Sequence, residues 1–298
     1  MDEQFDELST PDARAAPRCL APLSTATPAM QAPAGSWDCH AHVLGPFDRY
    51  PLVRDRAYTP EEHTPGAYAD LLRVLGLAHG VLVQPSACGT DNSLLVDALR
   101  SRGPAWRGVA VLDADVDDGS IAALHDAGVR GFRINLLFPG GPGLETLERT
   151  ASRVAGFGWH AQLLADLRTL PDIASRLDRL PVPVVLDHMG HFPAELGTDW
   201  PGFRMLLRRL EADRTYVKLS GPYRLSPRED HIDDVAPIAG ALIRAAPDRL
   251  VWGSDWPHVG LFRYMPDTAA LLDGLSAWCP DEATVRRILV DNPRQLYF

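Results

Sequence analysis

The stretch Trp37-Asp-Cys-His-Ala-His-Val-Leu44 reads as a short buried strand whose two histidines need a partner from elsewhere in the chain. Residues two apart in a strand share a face, so His40 and His42 project together at that strand's end. Adjacent imidazoles can grip a metal ion or polarise a carbonyl oxygen. A carboxylate opposite them can take the proton of an attacking water. The matching carboxylate is Asp255, in Trp252-Gly-Ser-Asp-Trp-Pro-His258 near the other end of the chain. The fold must bring the two ends together, as a closed barrel does.

Outward from this pair, short apolar runs at 37–44, 80–85, 107–112, 129–135, 158–164, 182–188, 214–219 and 249–254 read as eight strands. Helix-like stretches such as DNSLLVDALRS, DDGSIAALHDAG, LETLERTASRVAGF, DIASRLDRL and FRMLLRRLEAD lie between them. Several open on Asp or Asn at a plausible N-cap and stop near Gly or Pro. Eight strand–helix units imply an α/β fold, a (β/α)8 TIM barrel spanning 35–298 as one catalytic domain. A doubly wound open sheet is the alternative, but no GxGxxG follows the first strand. Residues 1–34, rich in Pro, Ala, Ser and Thr without an apolar period, read as an irregular N-terminal tail that drapes over the body.

The bulk composition narrows the function classes. The chain has 298 residues, 46% of them hydrophobic, enough for one large core. A formal net charge of -10 argues against sequence-independent nucleic-acid binding and requires a local arginine cluster to capture any anionic substrate. Cys19, Cys39, Cys88 and Cys279 show no paired spacing, which suits free thiols in a reducing cytoplasm. No apolar run approaches the roughly 20 residues that span a bilayer, and the acidic N-terminus is unlike a signal peptide. The expectation is a cytoplasmic protein with a small-molecule partner, no nucleic acid, no membrane, and room for a homo-oligomer.

Barrel chemistry sits at the C-terminal ends of the strands. There the sequence places His40 and His42, Gln84 and Ser86, Arg133 and Asn135, Asp187 and His188, Lys218 and Ser220, and Ser254 with Asp255. An HxH pair taken alone can equally be a buried, hydrogen-bonded core pair. The addition of His188 and Asp255 at corresponding ends favours a site. Arg133 either touches substrate or pairs with a carboxylate such as Asp113. His160 reads as core, and His258 as a supporting or binding residue. His63, His79, His125, His191 and His231 receive no role, and the seven tryptophans read as packing. Three imidazoles and one carboxylate (His40, His42, His188 and Asp255) suit one divalent ion such as zinc. The same groups can also act without metal, with the histidines on the oxyanion and Asp255 activating water.

The ordered set DCHAHVLGP, YTP (58–60), VLVQPSACGTDN, RGFRIN, LDHMG, VKLSGPYR, WGSDWPH and DNPRQLY resembles the amidohydrolase superfamily, in its 2-pyrone-4,6-dicarboxylate lactonase and sulfomuconolactone-hydrolysing branch. The match runs from Trp37 to the C-terminus. The resemblance implies hydrolysis of a lactone, with His40, His42 and His188 at the carbonyl and Asp255 as the water-activating base. Tyr58, Ser86, Arg133 and Arg224 match substrate-contacting positions. The branch is divided on metal: pyrone enzymes work without one, whereas related lactonases hold a single zinc or manganese. Two departures stand out. The pyrone lactonases carry a second arginine where this chain reads NLLFPGGPG, and a tyrosine on the next strand where it reads GWHAQLLAD. The expected substrate is therefore an anionic lactone with fewer or differently placed charges than a pyrone dicarboxylate. A metal-dependent decarboxylase of the same superfamily is the alternative, followed by a non-catalytic binding protein. Such decarboxylases show an extra strand-end histidine, where this chain offers Leu164 and Ser220.

Overall fold

The computed structural model describes residues 16–212, 214–228 and 232–298. Eight parallel strands lie side by side in chain order. They are β1 (Trp37–Ala41), β2 (His79–Val83), β3 (Trp106–Ala110), β4 (Val129–Asn135), β5 (His160–Leu164), β6 (Val184–Leu186), β7 (Thr215–Leu219) and β8 (Leu250–Trp252). A helix follows each one: α1 (Pro65–Leu75), α2 (Ser93–Arg102), α3 (Asp118–Ala127), α4 (Leu147–Val154), α5 (Leu170–Asp178), α6 (Pro201–Ala212), α7 (Ala236–Ala245) and α8 (Thr268–Trp278). This is the (β/α)8 barrel expected from the alternation.

Three of the helix starts carry the side-chain caps that local chemistry favours. Thr64, Asp117 and Asp267 accept backbone N–H bonds at the starts of α1, α3 and α8. Asn92, ahead of α2, makes no cap bond. Its side chain instead accepts from Val111 N and donates to Val111 O, tying α2 to the end of β3.

Strands six and eight stop earlier than the apolar runs suggested. Beyond them the backbone enters the left-handed region, at His188 (φ 50°) and Asp255 (φ 62°), where a ladder cannot continue. His188 and Asp255 therefore sit on the turns that leave these two strands. Among the described residues, five non-glycine residues have positive φ (His188, Met189, His191, Asp255 and His258), all in the segments after β6 and β8.

The segment after β8 closes the barrel onto β1. Asp255 N donates to His40 O (2.7 Å) and His42 N to Trp256 O (2.8 Å). The buried Asp38 carboxylate accepts from Ser254 N and Ser254 Oγ (2.8 and 2.6 Å). A Cβ on Gly253 would stand 2.6 Å from His40 Cβ and 2.9 Å from His40 N, so only glycine lets the two segments approach this closely.

A bulge aims the histidine pair. The β1–β2 register shifts between Asp38 and Ala41. Trp37 and Cys39 pack inside the barrel with Val81, Val109, Val185, Val251 and Tyr297, whereas Ala41 joins the layer beneath the helices. Parity thus inverts across the bulge, and His40 and His42 face inward above Cys39.

Residues 16–34 carry no helix or regular strand and lie against the barrel, with Cys19 N bonded to Thr59 O and Leu20 N to Leu261 O (both 2.9 Å). The remainder of the expected tail, 1–15, and His231 lie outside the described residues. All four cysteines are unpaired. Among the described residues no helix is long and apolar enough to cross a membrane.

Candidate active site

Four side chains converge at the mouth of the barrel. Asp255 Oδ1 lies 3.7 Å from His40 Nε2, 3.9 Å from His42 Nε2 and 3.8 Å from His188 Nε2. All four residues are buried, and neither Asp255 Oδ1 nor His40 Nε2 has a hydrogen-bond partner. The other carboxylate oxygen, Oδ2, is saturated: it accepts from Tyr223 OH and from Arg224 Nε, both at 2.7 Å.

The protonation pattern follows from these contacts. His42 Nδ1 lies 2.7 Å from Val83 O, which can only accept, so the proton sits on Nδ1 and Nε2 presents a lone pair to the site. Burial lowers the pKa of all three histidines, His42 to about 3, so they are neutral near pH 7. Burial pushes Asp255 up, but the Arg224 guanidinium and the surrounding His188, His40 and His42 together outweigh it and hold the carboxyl well below the usual range. The centre is an anionic oxygen facing neutral imidazoles.

Orphaned donors of this kind suit a cation. His40, His42 and Asp255 bring one ligand atom each within 4.8 Å of one another, as do His40, Asp187 and His188. The cluster could hold a divalent metal ion, with imidazole and carboxylate ligands of the type zinc accepts.

A charged layer supports the site from below. Asp187 Oδ1 stands 3.2 Å from His40 Nδ1 and 3.6 Å from Lys218 Nζ, and its Oδ2 accepts from Gln162 Nε2 (3.1 Å) and Arg133 Nε (3.3 Å). Lys218, fully buried, also donates to Cys39 O and Gln162 Oε1 (2.8 and 2.7 Å). Arg133 therefore pairs with Asp187 over the intervening β5, while Asp113, the carboxylate suggested by the sequence, is solvent-exposed.

The pocket above the cluster is lined by His42, His188 and Asp255 together with Tyr58, Ser86, Arg133 and Arg224. Every site residue expected from the sequence thus falls in one place. Asn135, Phe138, Leu164, His191 and Val259 complete the wall. His191, given no role from the sequence, reaches the pocket, whereas His79 stacks on Trp37 and His125 bonds to Trp159 Nε1, both away from it. His160 is a buried core residue, as expected. Tyr223 escaped the sequence reading. Its signal was adjacency to Arg224: both belong to one 3-10 turn, Pro222–Arg224, after β7, and both reach the same carboxylate oxygen.

Known proteins share this arrangement of sequence and fold. A 2-pyrone-4,6-dicarboxylate hydrolase of Comamonas testosteroni is 37% identical over 283 residues, covering 91% of this chain and 92% of its own. A 4-sulfomuconolactone hydrolase of Hydrogenophaga intermedia is 34% identical over 303 residues, covering 100% and 98%. The apo crystal structure of an Agrobacterium tumefaciens protein, 30% identical, superposes with a TM-score of 0.83 over 91% of this chain and 98% of that one. The amidohydrolase family model matches residues 37–298, from the first strand to the last residue, and the chain belongs to the amidohydrolase family.

Proposed function

We propose that the protein is a hydrolase that opens the ring ester of a small anionic lactone by attack of water. The observation that carries this reading is the unpartnered Asp255 Oδ1, 3.7–3.9 Å from three imidazole nitrogens and beneath a pocket that two arginines line. A base with a lowered pKa, held in a water-poor cleft beside groups that stabilise an oxyanion, is the equipment of ester hydrolysis. The relatives of highest identity reported above are hydrolases of lactones. The decarboxylase alternative gains nothing from the pocket, which offers Leu164 where an added histidine would stand.

In the mechanism, the lactone carbonyl points at His40, His42 and His188. Asp255 Oδ1 takes a proton from the attacking water and passes it to the departing ring oxygen. Arg133 and Arg224 orient the anionic end, with Tyr58 and Ser86, 3.3 Å apart, beside them. Phe138, Leu164 and Val259 provide an apolar wall for the remainder of the ring. With one basic face and one apolar face, the pocket suits a lactone bearing one anionic group better than a flat dicarboxylate. A zinc or manganese ion held by His40, His42, His188 and Asp255 would polarise the carbonyl and acidify the water.

The test is metal analysis of the purified protein, with assays on mono- and dicarboxylated lactones before and after chelation. We expect about one equivalent of metal, activity lost on chelation, and monoanionic lactones preferred. Full activity in metal-free protein would place the oxyanion on the histidines themselves. No turnover across the panel would defeat the lactonase reading.

Arg224 sets the acid limb. Because its charge holds Asp255 below the ordinary carboxylate range, the base form persists well into acid. Arg224→Met removes the strongest of the groups that oppose burial. The acid limb of kcat/KM should move up by about 1–3 pH units. A limb that stays in place would show that another group controls the carboxylate.

A further inference from the structure

We infer that Thr268, His258 and Tyr223 form a one-way hydrogen-bond relay that locks Asp255 with Oδ2 occupied and Oδ1 free. The first turn of α8 is then a positioning element for the base. The inference rests on the proposed role of Asp255 and adds three positioning residues to it.

The direction of the relay follows from counting protons. Tyr223 OH lies 2.7 Å from Asp255 Oδ2 and 2.9 Å from His258 Nδ1, and it has one proton to give. Given to His258, that proton would leave a carboxylate facing phenol lone pairs at 2.7 Å, which repel it. The proton therefore goes to Asp255. His258 Nδ1 must then carry its own hydrogen and donate to the tyrosine oxygen. In a neutral imidazole Nε2 is left as the acceptor, and Thr268 Oγ1, 2.9 Å away, supplies the donor. Every donor is used once and every arrow points toward the carboxylate.

Burial makes the chain consequential. Tyr223, His258 and Thr268 are 4%, 0% and 2% exposed, so no bulk water can replace a missing member cheaply. His258 is held at φ 62°, a backbone conformation a non-glycine residue keeps only where its surroundings fix it. Arg224 alone gives Oδ2 one anchor, about which the carboxylate can pivot. Tyr223 gives it the second, and the pivot is lost with Oδ1 aimed at the three imidazoles.

The test uses Thr268→Val, which removes one hydroxyl remote from the reacting atoms, Thr268→Ser as the rescue, and Tyr223→Phe. Two readouts are needed: the His258 tautomer by nitrogen NMR of the unliganded protein, and kcat and KM on a lactone the wild type hydrolyses. We expect an Nδ1–H tautomer in the wild type that is lost in Thr268→Val and restored in Thr268→Ser. Thr268→Val should lower kcat about two- to tenfold, as loss of one hydrogen bond does. Tyr223→Phe should lower it about 10- to 100-fold. KM should stay within about twofold throughout, because none of the three residues meets substrate. An Nε2–H tautomer in the wild type would overturn the relay. So would wild-type kcat and tautomer in Thr268→Val. Absence of any lactone turnover by the wild type would instead defeat the functional reading, while the tautomer still decides the relay.

Discussion

Asp255→Asn is expected to lower kcat by about 10³- to 10⁴-fold, the upper part of the range for a general base, with KM changed only a few fold. The substitution keeps the shape of the side chain. Asparagine is also among the few residues that tolerate the left-handed backbone this position requires (φ 62°). Its amide can still bond to Tyr223 and Arg224 through the oxygen that replaces Oδ2. What disappears is the basic Oδ1 beneath the pocket. The variant should therefore fold, retain its circular dichroism spectrum and bind a lactone analogue. Turnover within tenfold of wild type would place the base elsewhere.

Much of this site was legible because its chemistry repeats at one structural address. His40 and His42 announce a shared strand face by their spacing, and His188 and Asp255 follow later strands at corresponding points. What was hidden depends on registers that a linear pattern does not carry. Alternation alone continues the inward parity of Trp37 and Cys39 to Ala41; the bulge between Asp38 and Ala41 reverses it and turns the histidines inward. Arg133 and Asp187 are 54 residues apart and meet because β4 and β6 flank β5 in the barrel, a pairing that no local window contains. Tyr223 carries no signal of its own, since nothing in the composition of a 3-10 turn says which oxygen a phenol will reach. Lys218 is placed at a strand end by the sequence, but the groups it faces, Cys39 O, Gln162 and Asp187, come from three other parts of the chain.

Asp187→Ala should be the most damaging substitution for stability. It removes the one carboxylate that Arg133, Gln162, Lys218 and His40 share beneath the site. Two cations would remain in a layer where Lys218 and Asp187 are both 0% exposed. Stranding buried charge in this way costs about 3–5 kcal/mol, measurable by urea denaturation at pH 7. The pH dependence gives an independent check. Burial raises the Asp187 pKa, but His40, Lys218 and Arg133 outweigh it and hold the folded-state value well below the usual one. A depressed carboxylate contributes stability that is complete above its unfolded pKa, about 3.9, and is lost as pH falls through the lower folded value. The gap between wild type and variant should therefore be flat from neutral pH down to roughly pH 5 and close only in stronger acid. Lys218→Met should cost less than Asp187→Ala, since Arg133 still neutralises the carboxylate. A larger loss for Lys218→Met, or an Asp187→Ala gap under about 1 kcal/mol, would mean that the lysine and not the aspartate organises the layer on which the histidines rest.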